Sequence, residues 1–323
     1  MVLILCSTLV YGSELDQQAI DAFVTEMVTQ GDFSALELNE VFKQAKRSDR
    51  ILKAVSRPAE KAKPWYEYRK HFLTQDRVKA GIEFWNVNAD TLVDATEIYG
   101  VPAEIIVAII GVETAYGRIT GRDRVIDALA TLAFHYPNKN KKRMSYFRAQ
   151  LRHLFLMSKE QNLDLLSLSG SYAGAMGIPQ FMPESYRKFA VDFNNDGARN
   201  IWQDRIDAIG SVANYLKSHG WDRGKSIVIA AEATAADVQG LLSDSLKPHR
   251  RISEYGSLGV RPGVATEDEL AALFVLEGEI APEYWLALNN FYVIMRYNPR
   301  TKYAMAVVKL AEAIRDARTS PLS

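Results

Sequence analysis

The chain has 323 residues, 48% of them hydrophobic, with 39 basic and 39 acidic side chains and a single cysteine. That is enough apolar material for a sizeable core, in one large domain or in two to three small ones. Zero net charge excludes a global electrostatic pull toward nucleic acid or an anionic membrane, and one thiol excludes an internal disulfide.

The N-terminal stretch MVLILCSTLVYGSELDQQ is apolar from Val2 to Tyr11 and then turns at Gly12 and Ser13. It is too short to cross a bilayer and resembles the core of a secretory signal peptide that lacks its positive flank, so residues 1–14 are expected to direct export. Leu3-Ile4-Leu5-Cys6 loosely resembles a lipobox, with Leu5 large where a small residue is expected; Cys6 is where a lipid would attach. A frayed apolar terminus is the other reading.

From Asp16 to about Arg124 the pattern is helical. AIDAFVTEMVTQG places Ile20, Phe23 and Met27 at three-to-four spacing and stops at Gly31, and LNEVFKQAKRSDRILKAV (38–55) repeats the pattern. SRPAEKAKPW (56–65) holds two prolines and reads as a loop. A helix over the 70s and 80s follows, then NADTLVDATEIYG, with polar caps at its start and Gly100 at its end. Pro102 suits the first turn of a helix running to about Tyr116, which is apolar almost all round and so belongs in the interior.

RVIDALATLAFHYP is a further helix stopped by Pro137, SYFRAQLRHLFLMSKEQ is amphipathic, and RIDAIGSVANYLKSHG ends at Gly220. The basic clusters at 138–143 and 249–251 read locally as solvated loops. Beyond Trp221 the texture changes. KSIVIAAEA, RISEYGSL, LFVLEGE and EYWLAL are short, β-prone and separated by turn residues, so 222–287 reads as a small β-rich domain. NNFYVIMRYNPRTKYAMAVVKLAEAIRDA returns to helix. The expected fold is α+β, mainly α.

Three stretches carry chemistry. In GVETAYGR (111–118), Glu113 sits three residues past the apolar run that ends at Ile110. Desolvation disfavours a charged carboxylate, so Glu113 is expected to keep its proton toward neutral pH and to serve as a general acid. A solvated edge, or pairing with Arg118 or Arg122, would make it ordinary. Asp123 and Asp127 are the nearby carboxylates, but Asp127 suits a helix N-terminus and no convincing second catalytic carboxylate is evident. GSYAGAMGIPQFMPESY (170–186) is rich in small residues, and its Ser171 and Gln180 can hydrogen-bond sugar hydroxyls or an N-acetyl amide; a tight packing loop is the alternative. DFNNDGARNIWQD (192–204) matches the first half of an EF-hand loop at Asp192, Asn194, Asp196 and Gly197, with Ala198 offering its carbonyl. Gln203 stands where a bidentate Glu is expected, so Asp204 or Asp207 must complete the set, with Asp207 favoured. A structural Ca²⁺ is expected there, against a plain Asx-rich turn.

Together, PAEIIVAIIGVETAYGR, VIDALATLAF, GSYAGAMGIPQFMPESY, VDFNNDGARNIW, DAIGSVANYL and MRYNPRTKYAMAV resemble the membrane-bound lytic transglycosylase B family, over roughly residues 15–318. The resemblance implies a lysozyme-like catalytic core at 76–221 completed by 288–300, an α-domain at 15–75 with a C-terminal helix at 301–318, and the β-rich domain at 222–287. It implies a monomer in the periplasm, attached to the outer membrane if Cys6 is lipidated, acting on peptidoglycan strands and not on nucleic acid. The implied reaction cleaves the MurNAc-β-1,4-GlcNAc bond and closes a 1,6-anhydro ring, with Glu113 as both acid and base. A water-using muramidase and a non-catalytic peptidoglycan-binding protein are the alternatives. Ser171, Gln180, Tyr215, Tyr297, Asn298 and Tyr303 match groups that line the sugar cleft. Lys142 and Arg143 match a basic pair near the peptide stem, in a loop longer than the family's. Asp192, Asn194, Asp196, Ala198 and a later aspartate, Asp207, match the calcium ligands.

Overall fold

The computed structural model describes residues 14–56, 63–234, 238–264 and 267–319. The signal-like segment up to residue 13, Cys6, and most of the loop expected at 56–65 lie outside the described residues. The described residues group into two compact units, 14–56 with 120–188 and 63–119 with 189–319, a grouping that cuts across the expected 76–221 core.

In the first unit, helix Gln17–Thr29 is capped by Asp16, which accepts from Ala19 N–H at 3.1 Å, and it buries Ile20, Phe23, Val24 and Met27. Ser34 and Glu37 form a capping box at the start of Ala35–Phe42. The 38–55 pattern is carried by two helices, this one and Asp49–Ser56. The chain breaks between them because side chains of the Val125–His135 helix take its backbone donors: Lys46 N–H gives to Asp127 and Ser48 N–H to Thr131. Phe23, Phe42, Phe134 and Phe155 then form a cluster with ring centroids 5.5–6.2 Å apart. The long helix Lys141–Gln161 contributes Phe155, Leu151 and Leu154 to the buried side.

In the second unit, helix Ala103–Thr114 runs through the middle. Every residue from Ile105 to Gly111 is buried, as its apolar circumference predicts. Helices Gln75–Val87, Ala89–Tyr99, Arg205–Ser218 and Thr301–Thr319 pack around it. Burying each of its isoleucines contributes roughly 2 kcal/mol. Gly100 ends the preceding helix in the left-handed conformation, as predicted. Asn88, expected as a cap for that helix, instead gives its amide to Phe84 C=O at 2.6 Å and closes the helix before it.

The β-rich stretch is a five-stranded antiparallel sheet in the order Arg250–Arg251, Leu270–Leu276, Glu283–Ala287, Val228–Ala233, Val260–Pro262. RISEYGSL departs from the β expectation: only its Arg residue pairs as strand, and Ile252–Ser257 is a short helix. Asp268 accepts from Ser253 N–H and from its hydroxyl, which starts the turn. Ile252 and Tyr255, three apart, then face the small core with Ile229, Leu273 and Leu286. The fold is α+β and mainly α. Among the described residues no single helix is long and apolar enough to cross a membrane.

Candidate active site

Glu113 lies in the last turn of the central helix and stays partly exposed. Its Oε1 accepts from the Tyr303 hydroxyl at 2.6 Å, a bond between residues 190 apart in the chain. Burial pushes the carboxyl up to about 7, while the Tyr303 bond pulls in the opposite direction. Neither Arg118 nor Arg122 provides its hydrogen bond, and Arg118 gives Nε–H to Ala115 C=O at 3.0 Å.

Tyrosines surround this carboxyl. Tyr303 and Tyr297 are both held well above the usual phenol range, first by burial and then by the neighbouring Glu113 charge, so both remain hydrogen-bond donors. Tyr215 packs 4.7 Å from Tyr297, centroid to centroid, stacks on His219 at 4.1 Å, and gives its hydroxyl to Arg296 C=O at 2.6 Å. Asn298 follows helix Asn289–Tyr297 in extended conformation, and its carbonyl accepts from Arg300 N–H at 2.8 Å. Tyr215, Tyr297 and Tyr303 thus gather about Glu113, with Asn298 in the connection beside them.

Three further residues belong to this neighbourhood and were not singled out from sequence. Tyr68 is raised by burial, lowered by Arg300 and raised by Glu113, which puts it within electrostatic reach of the acid. Arg77 donates from Nη1 to Gly111 C=O, and Arg77 C=O accepts from the Tyr116 hydroxyl at 2.8 Å. Nothing periodic in WYEYRKHFLTQDR marks these positions. Only the run of rings around Tyr68 hints at a surface made for flat ligands.

The remaining sugar-site candidates lie in the first unit. Ser171 Oγ accepts from Ala173 and Ala175 N–H at 3.3 and 3.1 Å, and its own N–H gives to Ala175 C=O at 2.8 Å. Gln180 sits at φ +53° and gives its amide to Thr120 C=O at 3.1 Å and to Gly177 C=O at 2.8 Å. Both side chains therefore hold the small-residue loop in shape while remaining partly exposed. Lys142 and Arg143 are exposed in the first turn of Lys141–Gln161, where Arg143 N–H is capped by Asn140 at 3.1 Å. Asp127 is occupied by Arg124 and Lys46 N–H, and Asp123 by Arg50, so both serve structure in their own unit.

The aspartate loop folds as an Asx-rich turn. Asp192 accepts from Asp196 and Gly197 N–H, Asn194 Oδ1 from Asp196 N–H, and Asp196 from Ala198 N–H. Asn194 Nδ2 bridges Asp196 and Asp204, at 3.2 and 2.8 Å, the place between two carboxylates that a cation would also favour. Asp207 is fully buried and does something else: its two oxygens accept from Phe193 N–H at 2.8 Å and Asn200 N–H at 2.7 Å. Among the described residues no three acidic, His or Cys side chains stand together as a ready metal cage. The donor set is nonetheless of the hard-oxygen kind that suits Ca²⁺: Asp204 Oδ2 shares the Asn194 amide with Asp196, and Asp207 meets the loop through its backbone N–H groups.

Residues 15–312 match the family model described as transglycosylase SLT domain. The chain is 44% identical to the membrane-bound lytic murein transglycosylase B of Escherichia coli (strain K12), over 92% of this chain and 82% of that protein. Among solved structures it is similar to the soluble lytic transglycosylase SltB1 from Pseudomonas aeruginosa, with a TM-score of 0.88, 46% identity, and coverage of 94% of this chain and 100% of that one. It is also similar to the Escherichia coli lytic transglycosylase Slt35 in complex with calcium, with a TM-score of 0.84, 43% identity, and 94% of each chain covered. The lysozyme-like fold expected from the resemblance is the one shared with these structures.

Proposed function

This chain belongs to the transglycosylase SLT domain family, and we propose that it is a peptidoglycan lytic transglycosylase that cuts the MurNAc-β-1,4-GlcNAc bond and leaves a 1,6-anhydro-MurNAc end. The observation that carries this reading is a lone carboxyl, Glu113, held up to about 7 by burial and bonded to one phenol. Among the described residues, desolvation and the Tyr303 bond account for that shift, and no second carboxylate contributes to it.

Protonated Glu113 gives its proton to the glycosidic oxygen as the C1–O bond breaks, and the GlcNAc hydroxyl leaves. The muramoyl C1 becomes oxocarbenium-like, and the 2-acetamido oxygen can shelter it. Glu113, now a carboxylate, takes the C6 hydroxyl proton, and that oxygen closes onto C1. The acid is regenerated and no water is consumed. Because Tyr303 bonds Oε1, the proton is left to Oε2 and the carboxyl plane is fixed. Holding the C6 hydroxyl against C1 gives it an advantage over water. Tyr215, Tyr297, Asn298 and Tyr68 offer ring faces and polar groups to the sugar. Ser171 and Gln180 are proposed, on the family resemblance, to hydrogen-bond sugar hydroxyls or an N-acetyl amide. Lys142 and Arg143 are proposed to meet the acidic peptide stem.

The loop is proposed to hold a structural Ca²⁺ through Asp192, Asn194, Asp196, the Ala198 carbonyl and Asp204, with Asp207 anchoring the loop backbone beneath. The ion would lock the loop, and no chemical step passes through it. The setting is proposed to be the periplasm, with Cys6 lipidated at the outer membrane. Labelled palmitate incorporated by the native chain but not by Cys6→Ser is the expected result, and equal labelling of the two would remove that assignment.

Digestion of purified sacculi followed by mass analysis of the soluble muropeptides tests the reaction. Anhydro ends, lighter by one water and non-reducing, are expected. Reducing ends would make the protein a muramidase, and no soluble product would make it a binding protein.

A further inference from the structure

We infer that Tyr116 and Arg77 are positioning residues for Glu113: together they clamp the left-handed turn that ends its helix and so fix where the carboxyl is held. The inference rests on the reading of Glu113 as the acid.

Three successive residues after the helix, Ala115, Tyr116 and Gly117, have φ of 51°, 65° and 84°. Two of them carry a Cβ, which disfavours this region, so surrounding contacts must impose the turn. The Tyr116 ring folds back over its own helix. A Cβ on Gly111 would lie 2.7 Å from Tyr116 Cε1, so Gly111 leaves room for the ring; one on Gly81 would lie 2.5 Å from Ile314 Cδ1 and 2.7 Å from the Tyr116 hydroxyl oxygen, so Gly81 leaves room for that hydroxyl and Ile314 together. Phe84 packs at 5.7 Å between centroids, and only 6% of Tyr116 is exposed. The hydroxyl then donates to Arg77 C=O at 2.8 Å.

Arg77 completes the loop of contacts. Its guanidinium donates to Gly111 C=O, the same carbonyl that accepts from Ala115 N–H at 3.1 Å. A cation at a helix C-terminus is favourable on its own account. Gly111 and Ala115 lie two residues before and after Glu113. One arginine and one tyrosine, bonded to each other, therefore tie down both sides of the acid from outside its own hydrogen bond with Tyr303. Small displacements of a proton donor cost rate steeply, which gives such a clamp a catalytic consequence.

Desolvation and then the bond from Tyr303, on helix Thr301–Thr319, act on Glu113; the Glu113 charge in turn raises Tyr297 of Asn289–Tyr297 and Tyr68 of Trp65–Tyr68, and Tyr215 of Arg205–Ser218 acts on Tyr297 and Tyr303. Arg300 acts on Tyr68, and Arg77 and Arg118 act on Tyr116.

Tyr116→Phe removes only the hydroxyl, and Arg77→Met keeps the stem while losing the bond to Gly111. Each is expected to lower kcat on soluble glycan chains about tenfold with KM within about twofold. Each should also move the alkaline fall of the rate to lower pH by about one unit, as the loosened turn admits water to Glu113. The double variant should lose little more than either single one, because the two residues act as one device. Ile106→Val, earlier in the same helix and fully buried, is the comparison: it should cost stability and leave kcat and the pH profile alone. The inference is overturned if Tyr116→Phe and Arg77→Met keep the native kcat and pH profile, or if Ile106→Val shifts both as far as they do. Glu113→Gln run in parallel separates the two levels. If it still turns over, the functional reading fails; if it is dead and the clamp variants behave as the native enzyme, only the clamp does.

Discussion

Glu113 and Asp207 belong to the same compact unit, each in an end turn of a helix, and desolvation pushes both above the ordinary carboxylate range. Their partners differ. Asp207 lies in the first turn of its helix, where the dipole favours a negative charge, and two backbone N–H groups donate to it. Glu113 lies in the last turn, where the dipole opposes that charge, and one phenol donates to it. The first arrangement supports an ionised anchor, and the second retains a proton that can be given away. Burial alone does not make a carboxyl reactive; the number of donors and the end of the helix decide.

Substitution at each carboxyl sharpens the contrast. The largest effect is expected from Glu113→Gln, which should lose about 10³-fold in turnover on sacculi while still binding glycan, because general acid-base catalysis is worth about that much. Near-native turnover would break the comparison at its root.

The next effect is on stability. The folded Glu113 holds its proton to about 7 against an ordinary 4.5. Between those values the folded chain binds more protons than the unfolded one, so stability falls as pH rises through that window. At about 1.4 kcal/mol per unit, the loss reaches about 3 kcal/mol above pH 7. Glu113→Gln does not titrate. Its denaturation midpoint should match the native one near pH 4.5 and exceed it increasingly toward pH 8, and a difference independent of pH would contradict the assigned burial.

Asp207→Ala should cost about 2 kcal/mol by stranding the Phe193 and Asn200 N–H groups, a loss present across neutral pH. A fully stable variant would show that the two bonds hold nothing. The smallest effect is the ion's. Saturating Ca²⁺ over chelator should add about 1–2 kcal/mol, a few degrees in Tm. Asp192→Asn and Asp204→Asn should each abolish that increment. An increment lost in Asp207→Asn but kept in Asp204→Asn would return the last ligand to Asp207.

Much of this was legible in the residues. The apolar circumference of 104–110 announced a central helix, and Glu113 followed it closely enough to be desolvated. Gly31, Gly100 and Gly220 marked chain reversals, and the change of texture after Trp221 marked the sheet. What escaped has a common cause: contacts far apart in the chain. The break inside 38–55 is made by Asp127 and Thr131, some eighty residues on, and the helix at Ile252 starts on Asp268. Periodicity sees neither. Tyr303 could be placed near Glu113 only through the family resemblance, since nothing local in RYNPRTKY points to a carboxyl in GVETAYGR. Tyr116 was in the quoted motif and still passed unremarked, because its role depends on the space left at Gly81, thirty-five residues upstream.

The hydrogen bond between Tyr303 and Glu113 also fixes a schedule. A chain emerging from the ribosome presents the acid long before the phenol that orients it exists, and the helix carrying Tyr303 is the last described element to be synthesised. Partly made or partly folded molecules therefore carry the cutting group without its aim. For a protein whose proposed substrate is the wall of the cell that makes it, competence arrives only with the finished fold.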